Sequence, residues 1–390
     1  MEVTTVADHS ALTALCERAK RAERVALDTE FHGENSYVPR LMLLQLAFDD
    51  GVALVDPLAV PDLRPLAHAL RNVLLIGHAL SSDLRIFHER FDELPARVFD
   101  TQIAAAFCGF GASISLADLV RELLHVRLRK SHTVSDWSAR PLSPAQVEYL
   151  VDDVVHLLPL HDRVRELLIQ QGRLSWADAE CGPLTDPARY RVEGARLYLK
   201  VSGNQRLNRR ELAILSELAQ LRERVARERD IPLRYVASDD VLVAVAALHP
   251  KSVDDLNALR RVNEQTKRAL GPRMLEAVAA GEAWPEASLP PKHQRGLDAS
   301  RETLVTLMGV VTASIAAEHR LPASLLVPRA ALERVARDLP RTLGEFTRVL
   351  DLSDWRIDLV GEPLWRLLNG ERRIAVRGYP QGEPRLAIDP

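Results

Sequence analysis

Four carboxylates and a tyrosine carry the chemistry that can be read from this sequence. Asp28 and Glu30 stand two apart in VALDTEF, Asp83 lies in IGHALSSDLRIF, and Tyr149 and Asp153 stand four apart in EYLVDDV. Alternate residues of a strand point to one face, so Asp28 and Glu30 project together from the end of a predicted strand. Two acids that close repel unless a cation lies between them. Tyr149 and Asp153 share one face of a predicted helix, while Asp152 points about 100° away. Hard divalent cations take oxygen ligands of this kind. Two of them, about 3.5–4 Å apart, would clamp the attacking and leaving oxygens of an in-line displacement at phosphorus. Tyr149, with an ordinary pKa of about 10, is better suited to orienting a water than to taking its proton. The set points to two divalent metal ions, Mg²⁺ or Mn²⁺, and hydrolysis of a nucleic acid.

Taken singly, each member also has an ordinary structural reading. One acid of the Asp28–Glu30 pair could cap the next turn and the other be solvated. Asp83 follows an apolar run where strand becomes helix, and there Ser81, Ser82 or Asp83 alone reads more readily as an N-cap. Tyr149 could be a core tyrosine beside a solvated acid. The convergence of acids from two strand ends and a helix is what favours a site. Around it, Gly77 would allow close backbone approach and His78 would supply a polar side chain, although a lone histidine is more often structural. Phe31 and Trp137 could stack on a terminal base or pack in the core. Arg127, Arg129, Lys130 and His132 form a basic stretch that could hold phosphates or be solvated.

The elements that must position these residues are legible as short apolar runs and helical patterns. RVALDTEF, RLMLLQLAF, GVALVDP and NVLLIGHAL read as sheet strands. Helical spacing recurs over 10–22, 62–71, 82–90, 101–108, 115–124 and 144–168. The last begins with Ser143 as N-cap, Pro144 and the capping-box residue Gln146. Early strands joined by short connections and later strands joined by helices predict a mixed sheet in an α/β domain over residues 1–168.

Residues 169–205 read as a connecting segment with a few helical turns. Beyond Leu207 the chain reads as nearly all helical. A module over 206–284 and a second, divergent one over 298–390 flank a linker at 285–297, where PEASLPPK stops any helix. The two modules repeat at an offset of ninety: RERDIPLRYV (227–236) matches AEHRLPASLL (317–326). Such a repeat is an architectural signal. Arg206, Arg209, Arg210, Arg260, Arg261, Lys267, Arg268 and Arg273 make a candidate electrostatic footprint on the first module. The second retains only Arg356 in the aligned WRIDLVGEPLW, and reads as serving packing more than phosphate contact.

The 390 residues are 47% hydrophobic and 27% charged, with net charge -3, an ordinary globular balance. No apolar run is long enough for a membrane span, and MEVTTVADHS has no signal-peptide pattern. Cys16, Cys108 and Cys181 show no metal-ligand spacing and read as reduced thiols. A cytoplasmic protein without an obligate protein partner is expected.

With these motifs in hand, the first domain resembles the DEDD-type 3′–5′ exonucleases, in the subtype whose third block is Y-x-x-x-D. VALDTEF and SDWSARPLSPAQVEYLVDDV resemble the first and third blocks of the ribonuclease D family, and the helical modules resemble HRDC domains, small nucleic-acid-binding units. The resemblance implies a ribonuclease H-like fold for the first domain. It also implies that Asp28, Glu30, Asp83 and Asp153 hold two metal ions and that Tyr149 positions the water. It implies a 3′–5′ exoribonuclease that releases nucleoside 5′-monophosphates from RNA with a single-stranded 3′ end, most plausibly tRNA precursors. A DNA-directed exonuclease using the same acids, or an RNA-binding scaffold with vestigial hydrolysis, are the rival readings.

Overall fold

Alternation along RVALDTEFH puts Val25 and Leu27 on one side of a strand and Ala26, Asp28 and Glu30 on the other. In the computed structural model of the protein this strand lies inside a six-stranded mixed sheet. The structure describes residues 2–128, 136–191, 194–259, 262, 264–291, 297–377 and 385–389. The strands are β1 (Glu2–Val6), β2 (Arg24–His32), β3 (Arg40–Phe48), β4 (Gly51–Val55), β5 (Leu74–Gly77) and β6 (Arg97–Asp100). Their spatial order is β1-β4-β3-β2-β5-β6. β3 pairs antiparallel with β2 and β4, whereas β1–β4, β2–β5 and β5–β6 are parallel. The apolar runs mark four of these strands. β1 escapes notice because EVTTV is mostly polar and exposed, and β6 because it is only 4 residues long.

Eight helices cover the sheet: α1 (His9–Arg21), α2 (Arg64–Leu70), α3 (Ser81–Phe91), α4 (Thr101–Phe107), α5 (Leu116–Leu124), α6 (Pro144–Val155), α7 (Leu157–Gln170) and α8 (Leu174–Cys181). On one side, Val25, Leu27, Leu44 and Leu46 pack with residues of α1, α2 and α3. On the other, Ala26, Leu43 and Ala47 pack with residues of α4, α6 and α7. The capping box at Ser143 and Gln146 forms as expected. The single helix expected over 144–168 is instead two, meeting at His156. Pro159 explains the break: it has no N–H to bond the turn before it.

The helical half repeats as the sequence does. The first module comprises α9 (Arg209–Arg229), α10 (Leu233–Val236), α11 (Asp239–Leu248) and α12 (Glu264–Glu282). The second comprises α13 (Ala299–Glu318), α14 (Ala323–Leu326), α15 (Arg329–Asp338), α16 (Leu343–Leu350), α17 (Asp354–Arg356) and α18 (Glu362–Leu368), with a π-helical turn between the last two. The bounds of α10 and α14, and of α11 and α15, differ by ninety. Even the left-handed residues repeat: Asp230 with Arg320, and His249 with Leu339. The expectation of helix to the end of the chain fails. After Gly370 the short alternating segments β7 (Arg373–Arg377) and β8 (Arg385–Asp389) pair antiparallel. Among the described residues no helix is long and apolar enough to cross a membrane, and all three cysteines are free.

The two modules dock differently. The loop between β2 and β3 is held by the first: Asp230 Oδ1 accepts from the Tyr37 and Val38 amides at 3.1 and 3.4 Å. The Tyr37 hydroxyl donates to Glu223, and the Arg227 guanidinium lies 4.9 Å from the Tyr37 ring centre. The second module packs at the end of α4 and α8. Trp355 stacks on Trp176 at 4.7 Å, and Arg356 bonds Glu180 at 2.5 Å and the Leu325 carbonyl at 2.7 Å.

Candidate active site

Strand β2 delivers Asp28 and Glu30 to the sheet face that α6 covers, and a β-bulge follows between Glu30 and Phe31. From α6, Asp153 joins them: carboxylate oxygens of Asp28, Glu30 and Asp153 lie within 4.8 Å of one another. Asp83 approaches from the first turn of α3 and is 7% exposed. It accepts a hydrogen bond from the Thr29 hydroxyl, which points to the opposite side of β2 from Asp28. The structure brings Asp28, Glu30 and Asp153 together, with Asp83 near enough for its charge to be felt by Asp28 and Glu30. Asp83 is not an N-cap; that position is Leu80, with no side-chain capping bond.

The turn that aims Asp83 is built by a residue the sequence reading passes over. Asp100, 2% exposed, accepts from the amides of Ala79 (3.1 Å), Leu80 (2.8 Å), Gln102 (2.9 Å) and Ile103 (3.3 Å). It therefore ties the starts of α3 and α4 together. Gly77 permits the approach, since a Cβ there would meet the Leu80 side chain at 2.2 Å and the Leu27 carbonyl oxygen at 3.0 Å. Arg140 is the second residue passed over. It grips Asp56 through Nε and Nη2 at 2.5 and 2.9 Å and donates to the carbonyls of Trp137 (2.8 Å) and Met42 (3.0 Å). Against the upward push of burial, Arg140 holds the Asp56 carboxyl below its ordinary pKa. This fixes the loop that leads into α6. Only the position of Arg140, between Trp137 and the capping box, could have signalled its role.

The electrostatics of the cluster are those of stacked anions. Burial first, and then the charges of Asp83, Asp153 and Glu30, push the Asp28 carboxyl well above the usual range. Glu30 is pushed up to about 7 by burial and by Asp153 and Asp83. Burial also raises Asp83, and takes Asp153 to about 6 although the Tyr149 hydrogen bond opposes it. Among the described residues no lysine or arginine offsets these charges. Convergent, under-neutralised oxygen donors are what hard divalent cations require, so the residues present fit such ions. Tyr149 donates to Asp153, and burial raises its phenol pKa above the ordinary value. Its hydroxyl therefore keeps its proton at neutral pH.

The outer residues expected from the sequence divide. Trp137 is 5% exposed and lies 5.7 Å from Tyr149, ring to ring, so it buttresses that tyrosine and is not available to a base. His78 places Nδ1 2.9 Å from the Thr101 hydroxyl and Nε2 3.0 Å from the Ile114 carbonyl, which leaves neither nitrogen for a substrate. Phe31 lines an open cleft of about 620 Å³ with His32, Arg40, Arg90 and Asp230. Arg129, Lys130 and His132 lie outside the described residues, as do Arg260 and Arg261. Of the footprint on the first module, Arg206 and Arg268 are exposed, whereas four others are internal ties. Arg210 donates to the carbonyls of Glu282 and Trp284, Arg209 to that of Pro290, and Arg273 pairs with Glu228. Lys267 is 9% exposed and bonds Asn257 at 2.6 Å. These side chains brace their module because each sits beside a helix end or an acid that needs a donor.

Comparison with known proteins agrees with this geometry. Residues 3–169 match the 3′–5′ exonuclease family model, and residues 211–278 match the HRDC domain. Ribonuclease D of Gluconacetobacter diazotrophicus is 36% identical over 96% of this chain and 94% of its own length. That of Escherichia coli K12 is 32% identical over 94% of this chain and 99% of its own. The chain belongs to the ribonuclease D family. The crystal structure of Escherichia coli RNase D superposes with a TM-score of 0.82, covering 98% of this chain and all of that one. The chain is a hydrolytic 3′–5′ exoribonuclease, with the mixed-sheet exonuclease domain expected from its sequence.

Proposed function

We propose that Asp28, Glu30, Asp83 and Asp153 hold two divalent cations, Mg²⁺ or Mn²⁺, and that Tyr149 orients the attacking water. The observation that carries this reading is the convergence of partly buried acids on one spot with no cationic side chain among the described residues to offset them. When bound, the cations supply charge neutralisation and Lewis acidity at the scissile phosphate. The protein's own residues do the rest. Thr29 keeps Asp83 oriented, and Trp137 and Asp153 hold the Tyr149 hydroxyl in place as a hydrogen-bond partner for water. Attack on phosphorus breaks its bond to the 3′ oxygen of the preceding nucleotide, which leaves as a hydroxyl. The product is a nucleoside 5′-monophosphate.

The substrate is an RNA with a single-stranded 3′ end, tRNA precursors foremost. The Escherichia coli relative, described as an exoribonuclease involved in structured RNA processing, supports this class. The cleft beside Phe31, walled on its far side by Asp230 of the first module, supports entry of an unpaired end. Its walls combine an aromatic ring with Arg40, which suit a base and its phosphate, while Arg90 braces the wall through the Pro39 and Val38 carbonyls. The test is to incubate the protein with 5′-labelled single-stranded RNA and matching DNA in Mg²⁺, Mn²⁺ or EDTA. A ladder shortening from the 3′ end of the RNA, absent in EDTA and faint on DNA, is expected. Equal DNA turnover would reassign the substrate, and a ladder persisting in EDTA would refute the cation requirement.

A further inference from the structure

Gln45 lies in β3 with its side chain fully buried, yet neither Nε2 nor Oε1 has a hydrogen-bond partner among the described residues. A buried polar group left so costs about 1–3 kcal/mol, and its flanking residues Leu44 and Leu46 show how apolar this strand otherwise is. The register explains what the amide faces. Gln45 pairs with Asp28 across β2 and with Leu54 across β4. Residues directly opposite in an antiparallel pair project to the same face, with Cβ atoms about 4.5–5.5 Å apart. Of its two cross-strand partners, Asp28 is the one that can accept a hydrogen bond. Above this face α6 supplies the buried Leu150 and Val154, which cannot.

We propose that Gln45 is a positioning residue for Asp28: in the cation-loaded site its Nε2 amide donates to the Asp28 carboxylate and fixes the carboxylate's orientation. This rests on the reading of Asp28 as a cation ligand. Hydrogen bonds that orient a ligating carboxylate are worth roughly 10–100-fold in metal affinity. Without cations the same amide is a liability, so its stabilising role is confined to the loaded state.

The test is Mn²⁺ binding by calorimetry on the full chain, beside thermal unfolding of the cation-free protein. Gln45→Met and Gln45→Leu remove the amide while keeping an apolar side chain of similar size, and Asp28→Asn removes the ligand. Both Gln45 variants should melt at or above the wild-type temperature without cations and bind Mn²⁺ about tenfold more weakly. Affinity within about twofold of wild type in either folded variant overturns the proposal. Failure of both variants to fold does so too, since it marks the amide as a core requirement. If Asp28→Asn itself binds Mn²⁺ like wild type, the reading of the site fails, which is a separate outcome.

Discussion

Glu30 and Asp153 hold their protons up to about pH 7 and 6, and burial, then the charges of its neighbours, raises Asp28 well above the usual carboxylate range. A carboxyl with a higher pKa in the folded state binds its proton more tightly there than in the unfolded chain. Folding is then penalised as pH rises from the ordinary carboxylate range through about 7, and the penalty is absent below that range. The cation-free protein should therefore lose thermal stability between pH 5 and 8 more steeply than Asp28→Asn, by on the order of 1–2 kcal/mol. Mg²⁺ should restore more stability at pH 8 than at pH 5, because cation binding displaces the protons. Parallel pH profiles for the two proteins in EDTA would contradict the electrostatic account. Tyr149 belongs to the same scale. Tyr149→Phe keeps the ring against Trp137 but loses the hydroxyl, and should lower kcat about a hundredfold with little change in KM. A matching rise in KM would indicate that the hydroxyl contacts substrate in the ground state.

At the scale of elements, β2 and α6 were legible because their patterns are strong. RVALDTEFH alternates cleanly, and Ser143-Pro144 with Gln146 announces a helix start. Asp28 with Glu30 and Tyr149 with Asp153 were legible for the same reason, since strand and helix periods put each pair on one face, whereas Asp83, which alone reads as an N-cap, was picked out only in conjunction with them. What was not legible depends on contacts far apart in sequence. Nothing near Asp100 says that its carboxylate reaches the amides of Ala79 and Leu80. Asp56 and Arg140 are likewise joined only by the fold. His78 and Trp137 stayed open between a substrate contact and a structural role because composition does not reveal that Thr101, Ile114 and Tyr149 already occupy them. The turn before α3 gives a prediction. Asp100→Ala strips the caps from two helix starts and should cost about 3 kcal/mol, measured by urea unfolding. A loss below about 0.5 kcal/mol would mean that water replaces the carboxylate without penalty.

Across the whole molecule, one repeated helical unit has been put to two uses. In the first copy, Glu223, Arg227 and Asp230 fasten the loop that follows β2, the strand that carries Asp28 and Glu30. In the second, Arg356 and Trp355 are spent on Glu180 and Trp176, which fits the packing role read from its sparse basic residues. Of the first copy's expected basic footprint, Arg209, Arg210, Lys267 and Arg273 are internal ties while Arg206 and Arg268 are exposed, and the copy also reaches the exonuclease domain through the β2–β3 loop. Asp230→Ala frees two backbone amides of that loop and alters the cleft beside Phe31. It should raise KM for a long single-stranded RNA about tenfold while leaving kcat nearly unchanged. A loss confined to kcat would point instead to a distorted β2.

The most direct test is the single-turnover rate of Asp28→Asn on 5′-labelled RNA in Mg²⁺, with RNA binding measured in parallel. A fall of at least about a thousandfold with binding retained is predicted. Turnover within about threefold of wild type would contradict the assignment of hydrolysis to this cluster.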